Sequence, residues 1–225
     1  MSKVFICGAT GYMGRVLAAE LLGRGHTVFA LARPGSENKV PRGCRIVHGN
    51  ALDSRSYVRA LGSTDTLVQL VGTPKPNPFK GEQFRAVDRV AGLEAVRAAA
   101  DAGVRHLVYV SVAHPAPMMK DYIAVRAEVE AAIVDAGLNA TVLRPWYVLG
   151  PGHWWPYALV PMYKVASLVP SLADGAQRLG LVSLREMVAT LAHAIEEPAH
   201  GVRLLTVPQI SAIANAQPRS CKAAA

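Results

Sequence analysis

The chain has 225 residues, of which 51% are hydrophobic and 18% charged, and a formal net charge of +8. Its length suits one sizeable core rather than two, and the balance of apolar to charged residues excludes a disordered chain. The basic residues are dispersed rather than gathered in runs, and no aromatic RNA-binding motif accompanies them, which argues against nucleic acid as a partner.

The first element is an apolar run of strand length over residues 3–7, in which Cys7 reads as a small buried hydrophobe. A helix is predicted over 13–24, stopped by Gly25, and a second strand over 27–31 completes a βαβ unit. The alternation continues with a strand over 45–48, a short helix over 54–61 with Asp53 as its N-cap, and a strand over 66–71. A long helix over 84–102 follows, stopped by Gly103, then a strand over 106–110. A helix over 122–136 ends at Gly137, and a strand over 140–143 comes after it. Near-continuous apolar strands separated by helices predict an α/β fold, a doubly wound parallel sheet of the Rossmann type covered on both faces.

Beyond Pro145 the alternation gives way to an aromatic, proline-rich stretch, then to a helix over 184–195 and a last strand over 202–207. Residues 1–210 are expected to form a single domain, with 146–185 as its substrate-side segment. Residues 211–225 carry no pattern and are expected to form a weakly ordered tail. The chain enters a strand directly after Met-Ser-Lys, which leaves no room for a secretory leader and predicts a cytoplasmic protein. Cys7, Cys44 and Cys221 show no metal-like spacing and the histidines no ligand spacing, so neither a disulfide framework nor a metal is expected.

Between the first strand and the first helix lies Gly8-Ala9-Thr10-Gly11-Tyr12-Met13-Gly14. A phosphate-binding turn needs glycine where φ is positive, where backbone meets pyrophosphate, and where helix packs on strand. The helix then turns its unpaired N–H groups and positive dipole end toward the phosphates. Here the triplet follows an apolar strand and opens a helix, the context that a dinucleotide site requires. The second strand ends in Leu31-Ala32-Arg33-Pro34, with no carboxylate nearby to oppose Arg33. An arginine there suits the 2′-phosphate of NADP, whereas an acidic residue would favour NAD, so NADP(H) is expected over NAD(H).

The glycine spacing, the later Tyr109-Val110-Ser111, and Tyr122-Ile123-Ala124-Val125-Arg126 before Leu143-Arg144-Pro145 together resemble the short-chain dehydrogenase/reductase superfamily. The likeness is to its atypical and extended branch, which includes epimerase/dehydratase-like enzymes and relatives of a complex I accessory subunit. It implies Tyr122 as acid/base, Ser111 polarising a substrate carbonyl, and Arg126 where the family carries a lysine that holds the ribose and lowers the tyrosine pKa. It also implies adenine contacts from Asn50 and Ala51, a ribose contact from Val71 and Gly72, and Pro145 beside the nicotinamide. Four-residue spacing puts Tyr122 and Arg126 on one helix face, although a guanidinium does not relay a proton. The alternative reading of Arg126 is a surface residue paired with Glu130.

Trp146, His153, Trp154 and Trp155 fall in the aromatic segment, which carries hardly any charge and suits an apolar, carbonyl-bearing small molecule. The same segment could instead lie in a core or a dimer interface, and the chain is expected to be a monomer or homodimer. Pro156, Pro161 and Pro170 argue against a membrane span, while Trp, Tyr and Lys suit peripheral contact with a membrane surface. The residues therefore point to an NADP(H)-dependent oxidoreductase or epimerase-like enzyme, with a non-catalytic cofactor-binding sensor or assembly protein as the alternative.

Overall fold

The computed structural model describes residues 1–116, 118–150 and 179–217. His153, Trp154 and Trp155, and most of the expected substrate-side segment, lie outside the described residues. Among the described residues, seven parallel strands make the central sheet: β1 (Lys3–Cys7), β2 (Thr27–Ala32), β3 (Arg45–His48), β4 (Thr66–Gln69), β5 (His106–Val110), β6 (Ala140–Arg144) and β9 (Val202–Thr206). Their order is β3-β2-β1-β4-β5-β6-β9. Chain direction across the sheet reverses between β1 and β4, so a crevice opens at the carboxyl ends of those two strands.

Period-2 alternation divides each strand between two cores. Val4, Ile6, Val68 and Val108 face α1 (Tyr12–Gly23) and two C-terminal helices, α6 (Leu184–Glu196) and α7 (Val207–Ala216), where Leu17, Leu21, Leu191 and Ile210 are buried. Phe5, Cys7, Leu67, Leu107 and Val142 face the other side, against α4 (Val90–Asp101) and α5 (Lys120–Asp135). Tyr57 and Leu61, at the short helix α2 (Val58–Leu61), complete that second core. Cys7 is fully buried, and burial pushes its thiol up to about 12, against a smaller opposing effect of Tyr57.

Most expected elements appear within one or two residues of their predicted bounds, and the departures have local causes. The helix expected over 54–61 is a 3-10 turn, Ser54–Ser56, capped by the Asp53 side chain and followed by α2. The helix expected over 84–102 begins with the short α3 (Gly81–Gln83) and a π-helical turn, Phe84–Arg89, before α4. β4 stops at Gln69, two residues early, and Leu70, Val71 and Gly72 form the crevice wall. A small parallel pair that periodicity did not reveal, β7 (Tyr147–Leu149) with β8 (Leu181–Ser183), lies beside the sheet.

Of the weakly ordered tail expected over 211–225, residues 211–216 belong instead to α7, and 218–225 lie outside the described residues. Thr206 and Gln209 form a reciprocal capping box, Pro208 pre-sets the first turn, and Ile210 and Ala214 are buried. Ser211 also donates to Glu186 at 2.9 Å, tying α7 to the start of α6.

Two positions make direct tests of this architecture. Gly14 opens α1 so close to the β1 turn that a Cβ there would lie 2.1 Å from the Gly8 carbonyl oxygen, and Gly8 itself has φ +92°. Gly14→Ala should therefore destabilise the fold by about 1–3 kcal/mol and weaken dinucleotide binding, as read by urea denaturation and by fluorescence titration. His106 is fully buried, with Nε2 3.0 Å from Thr141 Oγ1. Burial, aided by Arg203, lowers its pKa from 6.5 to about 4. The unfolded chain thus takes up a proton that the folded one refuses. Stability is fully present above pH 6.5 and declines as pH falls toward 4. His106→Asn should flatten that decline by on the order of 2–3 kcal/mol, measured by urea denaturation across the same range.

Candidate active site

The loops at the carboxyl ends of the strands enclose two adjoining cavities. The smaller, about 360 Å³, is lined by Gly8, Thr10, Gly11, Arg33, Asn50 and Ala51 on one side and by Val71 and Gly72 on the other. The larger, about 670 Å³, is lined by Tyr12, Met13, Ser111, Tyr122, Arg126, Pro145 and Trp146 among others. Leu70, Gly72 and Thr73 belong to both walls, so the two form one cleft across the strand ends. Every sequence-predicted site residue among the described positions lines this cleft except Gly14, which is buried beneath it against Gly8.

Several features fit a dinucleotide lying along this cleft. The N-cap of α1, Gly11, makes no side-chain cap, and the first turn of α1 holds no acidic residue. The N–H groups of that turn are therefore offered to an anion where the glycines bring backbone closest. Arg33 is exposed at the far end of the smaller cavity. Glu37, the nearest acidic residue along the chain, is 3.4 Å from His48 Nδ1. Asn50 Oδ1 accepts from Leu52 N at 3.1 Å, which fixes the turn at the adenine end.

At the other end, α5 projects Tyr122, Arg126 and Glu130 toward the sheet, each four residues from the next. Arg126 is only 5% exposed. Its Nη2 donates to Asp88 Oδ1 at 2.5 Å and to the Tyr122 hydroxyl at 3.1 Å. Its Nη1 donates to the Val110 carbonyl at 2.8 Å and, at 3.4 Å, to the Tyr109 hydroxyl. The guanidinium carbon lies 5.0 Å from the Tyr122 ring centroid and 5.7 Å from that of Tyr109. With both Nη groups committed, the remaining donor is Nε–H, which is buried without a partner among the described residues. The surface pairing of Arg126 with Glu130 is not formed, because the carboxylate of Asp88 stands closer and Glu130 has partners of its own.

Glu130 accepts from Ser111 Oγ at 2.5 Å and is paired with Arg144, while His114 Nε2 stands 3.6 Å away. The Ser111 proton is therefore directed to a carboxylate, and any donation from Ser111 to a substrate carbonyl competes with that bond. Phe84 packs on Tyr122 with ring centroids 4.8 Å apart, and Trp146 packs against the same cluster.

Electrostatics follow from this packing. Burial raises the Tyr122 pKa above the ordinary phenol value; Arg126 works against that and Asp88 reinforces it. Burial likewise raises Tyr109, to about 12, with Arg126 opposing. Burial disfavours the charge on Arg126, yet Tyr109, Tyr122 and Asp88 together hold its pKa above the usual arginine value.

Asp88, Glu130 and Arg144 were not recognised as site residues from sequence. The four-residue stripe of Tyr122, Arg126 and Glu130 was a usable signal for Glu130. Asp88 gave none, because its inward position depends on a π-turn that helical periodicity does not anticipate.

Comparison with known proteins agrees with this geometry. A family model described as NAD(P)H-binding matches residues 8–151. A Streptomyces protein, 3-diazoavenalumate denitrifying reductase, is 27% identical over 88% of this chain and 74% of its own length. A (4-alkanoyl-5-oxo-2,5-dihydrofuran-3-yl)methyl phosphate reductase of Streptomyces griseus is 30% identical over 93% of this chain and 69% of its own. Among solved structures, the Bordetella bronchiseptica enzyme WbmH in complex with NAD+ shares the fold with a TM-score of 0.67. It is 21% identical and is matched over 92% of this chain and 76% of WbmH. No helix among the described residues is long and apolar enough to cross a membrane. The chain belongs to the NAD(P)H-binding family of oxidoreductases.

Proposed function

We propose that this protein uses NADPH to reduce a carbonyl group on a largely apolar small molecule, with Tyr122 as the proton donor. The observation that carries the reading is the Tyr122 phenol in the wall of the larger cavity, its oxygen accepting from Arg126 at 3.1 Å. Because that oxygen accepts from a cation held in place, its own O–H is left for a substrate. A phenol whose pKa is raised chiefly by burial is protonated at neutral pH and suited to give a proton rather than take one.

Bound in the cleft, the cofactor would supply a hydride to the carbonyl carbon. Tyr122 would give the carbonyl oxygen its proton and recover one from solvent, so the product is the alcohol. Ser111, whose own proton goes to Glu130, would present lone pairs to a hydroxyl of the substrate or product. Met13, Val148 and Trp146 make an apolar wall that favours an aromatic or alkyl substrate over a bare sugar phosphate. Two relatives named as reductases support the reducing direction.

Arg33 supports NADPH over NADH, since a guanidinium at the end of β2 matches a phosphate through two parallel N–H donors. The protein should bind NADPH more tightly than NADH, and Arg33→Ala should narrow the gap about tenfold or more, measured by fluorescence titration. Equal wild-type affinities would overturn the preference. Tyr122→Phe should lower turnover of a panel of aromatic ketones, quinones and aldehydes by about 100-fold or more while NADPH binding persists. An unchanged rate would remove Tyr122 from the reaction.

A further inference from the structure

We propose that Asp88 is the positioning residue that keeps Tyr122 a proton donor, by holding Arg126 as half of a neutral buried pair rather than as a free cation beside the phenol. The inference rests on the reading of Tyr122 as the acid and assigns to this chain a residue that no motif marks.

Three observations carry it. First, the pair is enclosed: Asp88 is 1% exposed and Arg126 5%, with Nη2 2.5 Å from Oδ1. A free cation beside a phenol stabilises the phenolate, whereas a cation matched by a carboxylate on the same nitrogen does so far less, because the two fields oppose each other. Second, Asp88 is fixed from behind. Thr73 donates to Oδ2 from its backbone N at 3.0 Å and from its hydroxyl at 2.5 Å, so the carboxylate cannot turn away from the arginine. Third, the backbone is shaped around the pair. A Cβ at Gly72 would lie 2.5 Å from Arg126 Nη2 and 2.9 Å from Asp88 Oδ1. The π-turn Phe84–Arg89 buries Asp88 while Arg85 stays exposed and Arg89 pairs with Glu128.

The groups around Tyr122 on each packed element are few. α5 supplies Arg126 and, at its exposed start, Lys120 and Asp121; the π-turn supplies Asp88 and the Phe84 ring; β7 supplies Tyr147 in the same cavity wall; and β5 supplies Tyr109, which reaches Tyr122 through Arg126. Lys75 lines the same cavity and is exposed. Asp88 is thus the anion bound directly to the cation that contacts the phenol. The same carboxylate bonds to Thr73 in the wall shared by both cavities, so it joins the cofactor side of the cleft to the reacting tyrosine.

The test is a titration that needs no turnover. Protein labelled with 3-fluorotyrosine is followed by fluorine NMR against pH, with the Tyr122 resonance assigned by its loss in Tyr122→Phe. Asp88→Asn should lower the Tyr122 midpoint by about one pH unit or more, since the arginine then acts unopposed. An unchanged midpoint in a folded Asp88→Asn protein overturns the proposal. Should that variant fail to fold, Arg126→Gln is compared with Asp88→Asn/Arg126→Gln. The double variant should titrate lower than Arg126→Gln alone, and equal midpoints overturn the proposal. Because the readout is ionisation and not rate, failure here is separable from failure of Tyr122 as the acid, which the turnover of Tyr122→Phe decides.

Discussion

A guanidinium buried between a helix and a sheet must have its charge matched and its donors satisfied, or it destabilises everything packed around it. Arg126 meets most of that demand by drawing on three separate parts of the chain: Asp88 from the π-turn, Tyr109 and the Val110 carbonyl from β5, and Tyr122 from its own helix, with Nε–H alone left without a partner among the described residues. The loop after β4, the turn before α4, the end of β5 and the start of α5 are thereby held in one arrangement. All of these but the turn before α4 line the larger cavity, and that turn lines the smaller one through Val87, so the contacts that order the fold there also hold the site.

A second charge network, deeper along α5, joins Glu130 to Ser111 and to Arg144 near the end of β6. The two networks divide the labour of the helix. One holds the phenol, and the other anchors the strand end that precedes Pro145 and sets the polarity of Ser111. The glycine turn at the opposite side of the cleft works by backbone alone, with α1 directing uncapped N–H groups at the place where phosphates belong. Charge is therefore concentrated on the chemical side of the cleft and nearly absent from the pyrophosphate side.

Much of this was legible in the sequence. The alternation of apolar strands and helices predicted the doubly wound sheet, because burial on both faces leaves strands like Lys3–Cys7 apolar on both sides from Val4 onward. The turn from Gly8 to Gly14 could be read because its glycines answer to backbone demands that no other residue meets. What stayed hidden depended on contacts distant in sequence. Asp88 and Arg126 are 38 residues apart, and Ser111 and Glu130 are 19 apart, so no local pattern joins them. The extent of α7 was missed for a different reason: its small residues look patternless, yet the Thr206 and Gln209 capping box and burial of Ile210 order it.

Gly72 constrains which side chains the buried pair can contain. It has no side chain where a Cβ would collide with both members of the buried pair. Residues 72, 88 and 126 are therefore not independent. A bulky guanidinium at 126 needs an empty position at 72 and an anion at 88, since a Cβ at 72 would collide with the pair and loss of Asp88 would leave a buried cation unmatched. Replacing Arg126 by lysine leaves too few N–H groups for the acceptors around it, so a return to the smaller cation is barred by its neighbours rather than by the reaction. The three positions are thus coupled through one buried contact, and the fit at any one of them is set by the side chains at the other two.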